Sequence, residues 1–153
     1  MSTLAATIRN RLEDIRRVPD LIATLAAEHN LPPAVVFDMN VALDEVLSNI
    51  IKYAYPDQQL HEIELRLTAS KDEVIAEVND DGRPFDPLSV PPPQLDRPIA
   101  ERRIGGLGIH FVRNLVTDAS YSRVGGCNRL ILRLSLQARR EEEQSGARNH
   151  HAG

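Results

Sequence analysis

The chain has 153 residues and a formal net charge of -4, with 42% hydrophobic and 26% charged residues. This length fits one domain that buries about two thirds of its unfolded surface, and so mild a charge gives no reason to expect a direct nucleic-acid or membrane partner. Cys127 is the single cysteine, which excludes an internal disulfide framework and a thiolate metal cluster. A cytoplasmic protein is favoured by this single thiol, by the lack of a signal-peptide pattern and by the lack of an apolar run long enough to span a bilayer.

The first part of the chain predicts a strand followed by two helices. Residues 4–8 form a short apolar stretch suited to an edge strand, and apolar residues then recur at helical spacing over 18–29. The sequence 31–33, Leu-Pro-Pro, breaks this helix and begins another, because proline is tolerated in a first helical turn but not inside a helix. The second helix is predicted to end near Ala54.

Four further strands are predicted as two hairpins, with a helix from Leu107 between them. Alternating apolar and polar residues predict one buried face for the first hairpin, and Gly125-Gly126 predicts a tight turn in the second. The strands are expected at residues 62–68, 73–79, 120–124 and 129–136. The element order predicts an α+β fold, a two-layer sandwich with helices on one face of a mostly antiparallel, mixed sheet.

Two segments have no regular pattern. Residues 80–106 contain six prolines, and an unpatterned stretch of that length in a small domain is usually functional or disordered. We interpret about 83–104 as a lid over a binding site. The polar residues 138–153 are predicted to be a disordered tail after a single domain at 1–137.

A polar pair interrupts the apolar pattern of the second predicted helix. At 100° per residue the large apolar side chains cluster on one side, whereas Glu45 and Asn49 lie together roughly opposite them. The pair alone is equally compatible with ordinary solvent-facing positions.

The sequence Asp80-Asp81-Gly82 directly follows a predicted strand. Asp80 can accept a hydrogen bond from a purine amino group, and Gly82 permits a close backbone approach that a side chain would block. Taken alone, the same three residues are also typical of a simple turn.

A glycine-rich sequence, Gly105-Gly106-Leu107-Gly108, opens the next predicted helix. The free amides and the positive end of a helix dipole suit phosphate oxygens. The sequence is neither a Walker A motif, since no Gly-Lys-Ser/Thr follows, nor a dinucleotide fingerprint, since it opens no βαβ unit.

Taken together and in this order, the three motifs resemble those of the GHKL or Bergerat-fold ATPases, and within them the RsbW-like anti-sigma-factor serine/threonine kinases. The segment from Glu45 to Asn49 resembles their asparagine box, and the two glycine-containing sequences resemble their first and second glycine boxes. The resemblance covers about residues 3–136. Pro84 stands where many members have a second glycine, and the sequence Pro84-Phe85-Asp86-Pro87 is similar to the RsbW-like version.

The resemblance implies ATP and Mg²⁺ as cofactors and assigns a role to each motif. Asp80 would contact the adenine amino group, and Gly82 would let the base approach. Asn49 would bind Mg²⁺, a cation that prefers oxygen ligands and keeps most of its waters. Glu45 would be the catalytic base that accepts the proton of the attacking hydroxyl.

The remaining implied contacts are with the phosphates. Backbone amides of Gly105, Gly106, Leu107 and Gly108 would contact phosphate oxygens. Arg103, with its neighbour Arg102, is a candidate cation at the γ-phosphate, although both arginines are equally compatible with solvated loop positions.

The resemblance also implies partners. The protein would be an anti-sigma regulatory factor that phosphorylates a STAS-domain antagonist, sequesters a sigma factor or comparable regulator, and forms a homodimer. One alternative is a nucleotide-gated protein-binding switch without significant phosphotransfer. Another, ATP hydrolysis that powers a machine, lacks the coupling domains such machines need.

Overall fold

The computed structural model describes residues 1–89 and 112–137. Five strands form one sheet, and two α-helices pack on one of its faces. Short 3₁₀ helices lie at Leu12–Arg17 and Pro87–Ser89. The main elements are β1 (Ser2–Arg9), α1 (Val18–His29), α2 (Pro33–Tyr53), β2 (Glu62–Ala69), β3 (Glu73–Asp80), β4 (Asp118–Val124) and β5 (Cys127–Ser135).

The sheet has the order β1-β2-β3-β5-β4. The predicted edge strand and both predicted hairpins are confirmed, and Gly125 and Gly126 turn the second hairpin with φ of 58° and 78°. The predicted α+β fold with a mostly antiparallel sheet is confirmed, and among the described strands the sheet is not mixed, because all four pairings are antiparallel. Short turns force antiparallel pairing within each hairpin, and the second hairpin adds β5 antiparallel beside β3.

Both helices begin where the prolines predicted. Pro19 and Pro33 lie in the first turns of α1 and α2, where the missing N–H has no helical partner to lose. Helix α1 ends because Asn30 adopts a left-handed conformation (φ 50°, ψ 49°), and the Leu31 N–H donates to the Ala26 carbonyl at 3.2 Å. No helix in the described part of the chain has the length and hydropathy needed to cross a bilayer.

The hydrophobic core lies between the helices and the inner face of the sheet. Large side chains fully buried there include Ile22, Leu25, Met39, Leu43, Leu47, Ile50, Ile63, Leu65, Leu67 and Leu130. The outer face of the sheet is polar and carries ion pairs such as Arg129–Glu77, with Nε and Oε1 3.0 Å apart. Two polar residues, Asp80 and Asn128, occupy inner-face positions and are buried.

Several predicted features lie outside the described residues. They are Arg102, Arg103, the glycine-rich sequence from Gly105 to Gly108, most of the predicted lid and the whole of the predicted tail. Of the helix expected from Leu107, residues 112–115 are described, and they are helical.

Candidate nucleotide-binding site

Asn49 is a buried polar residue of α2, with 2% of its surface exposed. Its Nδ2 atom has no hydrogen-bond partner in the part of the chain that the structure describes. An unpaired buried amide costs about 1–3 kcal/mol of stability. An ordinary solvent-facing position is therefore excluded for Asn49, and its amide is available to a ligand.

Glu45 lies one helical turn before Asn49 and is half-buried. Burial and, to a smaller extent, the charge of Asp44 raise the pKa of Glu45, whereas Lys52 acts in the opposite direction. Within residues 1–89 and 112–137 no ion pair or hydrogen bond engages the Glu45 carboxylate. A carboxylate with a raised pKa and no such partner is suited to act as a proton acceptor.

Glu45 lines a groove of about 660 Å³ between α2 and the 3₁₀ helix Leu12–Arg17. The groove is largely apolar, and two of its large side chains, Leu12 and Phe37, are 52% and 65% exposed. The roles that the resemblance implies would bring Glu45 and Asn49 to one nucleotide pocket beside the loop after Asp80. Among the described residues, Glu45 borders this groove. Residues 90–111 of that loop are outside the described ranges, so the shared pocket stays a prediction.

Asp80 ends β3 on the inner face of the sheet and is 3% exposed. Its Oδ1 accepts hydrogen bonds from the Gly82 N–H at 3.0 Å and from Asn128 Nδ2 at 2.8 Å. Burial raises the pKa of Asp80, and these two hydrogen bonds partly oppose the rise. Among the described residues no hydrogen bond engages Oδ2, so a fixed carboxylate keeps one oxygen for a donor such as a purine amino group.

Asn128 was missed by the sequence analysis. It lies directly opposite Asp80 in the β3–β5 register and is 2% exposed. Besides its bond to Asp80, its Nδ2 donates to the Arg83 carbonyl at 2.8 Å. Its Oδ1 accepts from the Phe85 N–H at 3.2 Å and from the Tyr121 hydroxyl. Asn128 therefore ties the Asp80 carboxylate to the loop that follows it.

Arg123 of β4 was also missed. Its Nη1 donates to the Gly82 carbonyl at 2.7 Å and to Asn128 Oδ1 at 3.1 Å. A guanidinium always carries its charge, so Arg123 holds the turn after β3 at every physiological pH.

Gly82 packs against the carboxyl end of α2. A Cβ on this residue would lie 2.5 Å from the Ala54 carbonyl oxygen and 2.7 Å from the Ala54 Cβ, distances that a folded chain does not tolerate. The next residue fixes the same contact, because the Arg83 N–H donates to the Ala54 carbonyl at 2.8 Å and Arg83 Nε to the Tyr53 carbonyl at 2.7 Å. The contact with α2 is what requires glycine here, while a contact with the base stays a prediction.

The residues present fit a magnesium nucleotide. The described residues contain no cluster of three histidine, cysteine or acidic side chains that could hold a metal alone. Mg²⁺ is instead usually bound by one or two protein oxygens together with phosphates and waters. The Asn49 side chain supplies an amide oxygen of this kind, and no described hydrogen bond engages its amide.

Comparison with known proteins places this geometry in a family. The model of the histidine kinase-like ATPase domain matches residues 8–134. The serine/threonine-protein kinase BtrW of Bordetella bronchiseptica is 31% identical over 96 residues, which cover 63% of this chain and 68% of BtrW. The serine-protein kinase RsbW of Listeria innocua is 27% identical over 85 residues, which cover 53% of this chain and 54% of that relative.

Solved structures share the fold. The RsbU and RsbW domains of a Mycobacterium tuberculosis protein superpose with a TM-score of 0.64 at 17% identity, over 89% of this chain and 32% of that one. A histidine kinase domain from Erythrobacter litoralis gives a TM-score of 0.52 at 19% identity, over 82% of this chain and 61% of that one. With the family model matched over most of its length, the chain belongs to the histidine kinase-like ATPase domain family.

Proposed function

We propose that this protein is an ATP-dependent serine/threonine protein kinase that acts as an anti-sigma regulatory factor. The observation that carries the proposal is the pairing of Glu45, unpartnered in an open groove, with the buried unpaired amide of Asn49 one turn later on α2. The similarity to BtrW, a serine/threonine-protein kinase, and to RsbW, a serine-protein kinase, supports the same chemistry.

In this proposal the described residues act on the two ends of ATP. Asp80 Oδ2 would accept a hydrogen bond from the adenine amino group, and Asn49 would hold Mg²⁺, which when bound would neutralise phosphate charge. Glu45 takes the proton of the acceptor hydroxyl. The hydroxyl oxygen then bonds to the γ-phosphorus, and the bond from that phosphorus to the ADP oxygen breaks. Such transfer depends mainly on alignment and charge stabilisation. Backbone amides at Gly105, Gly106, Leu107 and Gly108, and the Arg103 side chain, are proposed to contact the phosphates.

The groove beside Glu45 favours a protein as the acceptor. An apolar surface with exposed Leu12 and Phe37 suits a protein partner better than water or a small polar substrate. From the resemblance to the RsbW-like kinases we propose a STAS-domain antagonist as the phosphorylated partner, a sigma factor or comparable regulator as the sequestered one, and a cytoplasmic homodimer as the working form.

A radiolabelled transfer assay tests the proposal. The purified protein is incubated with Mg²⁺ and γ-labelled ATP and with each STAS-domain protein of the same cell. We expect label on a serine or threonine of one of them and none with Glu45→Ala, whose nucleotide affinity should stay close to that of the unmodified protein. Transfer that persists in Glu45→Ala would contradict the role given to Glu45.

A nucleotide-gated switch without phosphotransfer is the second candidate. It is favoured by the hydrogen bonds that hold Asp80 and the turn after it, because none of them involves Glu45. Tight ATP binding, no transfer to any acceptor and a partner affinity that changes with nucleotide would support the switch over the kinase.

A further inference from the structure

His61 lies between two carboxylates contributed by different segments. Its Nε2 is 2.7 Å from Asp57 Oδ2, and its Nδ1 is 3.2 Å from Asp81 Oδ1. Because a carboxylate only accepts hydrogen bonds, both ring nitrogens must carry a proton for both contacts to form. The geometry is therefore that of an imidazolium, and the neutral ring can donate to only one of the two carboxylates.

The position of the imidazole is fixed by its surroundings. Its ring stacks on Tyr55, with centroids 4.5 Å apart and planes inclined by 23°. The His61 N–H donates to Asn10 Oδ1 at 2.8 Å, and the Asn10 N–H donates to the His61 carbonyl at 3.0 Å. Asn10, the residue after β1, thus holds the His61 backbone in place, and stacking on Tyr55 orients the ring between the two carboxylates.

Asp81 is the middle residue of the turn that presents Asp80. The bond from the Gly82 N–H to Asp80 Oδ1 closes this turn around Asp81. Arg123 holds one side of it through the Gly82 carbonyl, and His61 holds the other side through the Asp81 carboxylate. The guanidinium of Arg123 always carries its charge, whereas the charge of His61 depends on pH.

We propose that His61 is a positioning residue of the nucleotide site, whose protonated ring holds Asp81 and thereby keeps the Asp80–Gly82 turn in the orientation that binds the base. The inference rests on the proposed nucleotide-binding function. His61 itself touches neither nucleotide nor acceptor in this arrangement, and it acts through Asp81.

The charges around His61 set the direction of the pH dependence. Its hydrogen bond to Asp57 is the largest cause that raises the pKa of His61 above 6.5, Asp81 adds to the rise, and partial burial opposes it. The adjoining depression is lined by the further titratable groups Glu62, Glu64, Asp80 and Cys127. Because the folded-state pKa is raised, the double contact is complete below pH 6.5 and is lost as pH rises through the folded pKa.

The test is the affinity for Mg-ADP measured by calorimetry from about pH 5.5 to 9. We expect the unmodified protein to bind about two- to fivefold more weakly at the alkaline end, the range of an exposed charge pair. His61→Gln cannot become charged and should bind with the weaker, pH-independent affinity. His29→Gln, which removes a histidine at the far end of α1, is the matched control and should keep the pH dependence.

Titration of the imidazole resonances by NMR gives a second readout that needs no nucleotide. Asp81→Asn should lower the pKa of His61 and flatten the affinity profile as His61→Gln does. A profile that is equally steep in His61→Gln would overturn the role of His61 while leaving the nucleotide site intact. No binding of Mg-ADP at any pH would overturn the nucleotide site and this inference together.

Discussion

The two described ends of the candidate site differ in how completely their polar atoms are paired. At the Asp80 end, Asn128 and Arg123 donate hydrogen bonds to the carboxylate and to the turn after it. At the α2 end, Glu45 has no partner and the Asn49 amide is buried without one. The chain itself preorganises the first end, whereas the second keeps open groups at a cost in stability, as expected where a ligand supplies the missing partners.

The largest effect should come from the unpaired end. Replacing Glu45 by glutamine keeps the shape of the side chain and removes the base, so we expect the rate of phosphotransfer to fall by about 10²- to 10⁴-fold. Nucleotide affinity and melting temperature should change little, because no described hydrogen bond or ion pair engages the carboxylate. A fall in affinity as large as the fall in rate would mean that Glu45 binds nucleotide.

At the Asp80 end of the site, Gly82→Asn should lower the free energy of unfolding most. The new Cβ would collide with Ala54, and overpacking of this kind costs about 1–3 kcal/mol. Gly125→Asn is a matched control, because its position is open to solvent and its left-handed φ of 58° suits asparagine. Denaturant unfolding of both variants checks the difference, and equal losses of stability would show that the contact with α2 is not what requires glycine.

Asn128→Leu should lower stability and nucleotide binding together. Leucine fills a similar volume but leaves Asp80 Oδ1 without one donor and the Arg83 carbonyl without its partner. Such losses cost about 1–3 kcal/mol in the free energy of unfolding. Urea unfolding and calorimetry with Mg-ADP measure the two effects, and full stability with normal binding would show that the network does not hold Asp80.

The same substitution at Asn49 should have the smallest effect on stability. Unlike Asn128→Leu, it should impair nucleotide binding without lowering stability. Asn49→Leu removes a buried amide that is unpaired in the described structure, so we expect the free energy of unfolding to stay the same or rise by about 1 kcal/mol. Binding of Mg-ATP should nevertheless be lost. If this variant is destabilised as much as Asn128→Leu, the contrast between the two ends is wrong.

Most of the fold could be predicted because its signals are local. The prolines at 19 and 33 begin the helices, alternating residues mark the strands, and Gly125-Gly126 marks a turn that needs two positive φ angles. The prediction of a mixed sheet failed because strand direction across the sheet is decided by which strands become neighbours, and no local pattern specifies that.

The site was predictable only in part for the same reason. Asp80 could be assigned to the inner face, since it continues the buried alternation of β3. Asn128 shares the buried alternation of Leu130, Leu132 and Leu134. If the predicted strand had been extended by one residue, Asn128 would have been identified as a polar residue on an apolar face. Its contact with Asp80, like that of His61 with Asp81, depends on long-range packing.

The anchoring of the turn after β3 to the end of α2 has a metric consequence. The Arg83 N–H and the Ala54 carbonyl join the two elements, and an α-helix rises 1.5 Å per residue, so Asn49 and Glu45 lie about 7.5 and 13.5 Å along the axis from that junction. In the proposed site, this one helix would set how far the metal and acceptor positions lie from the turn that contacts adenine. A ligand that contacts the Asp80 turn and Glu45 at once would have to span about 13.5 Å along the helix axis, so we expect shorter nucleotides to occupy only part of the proposed site.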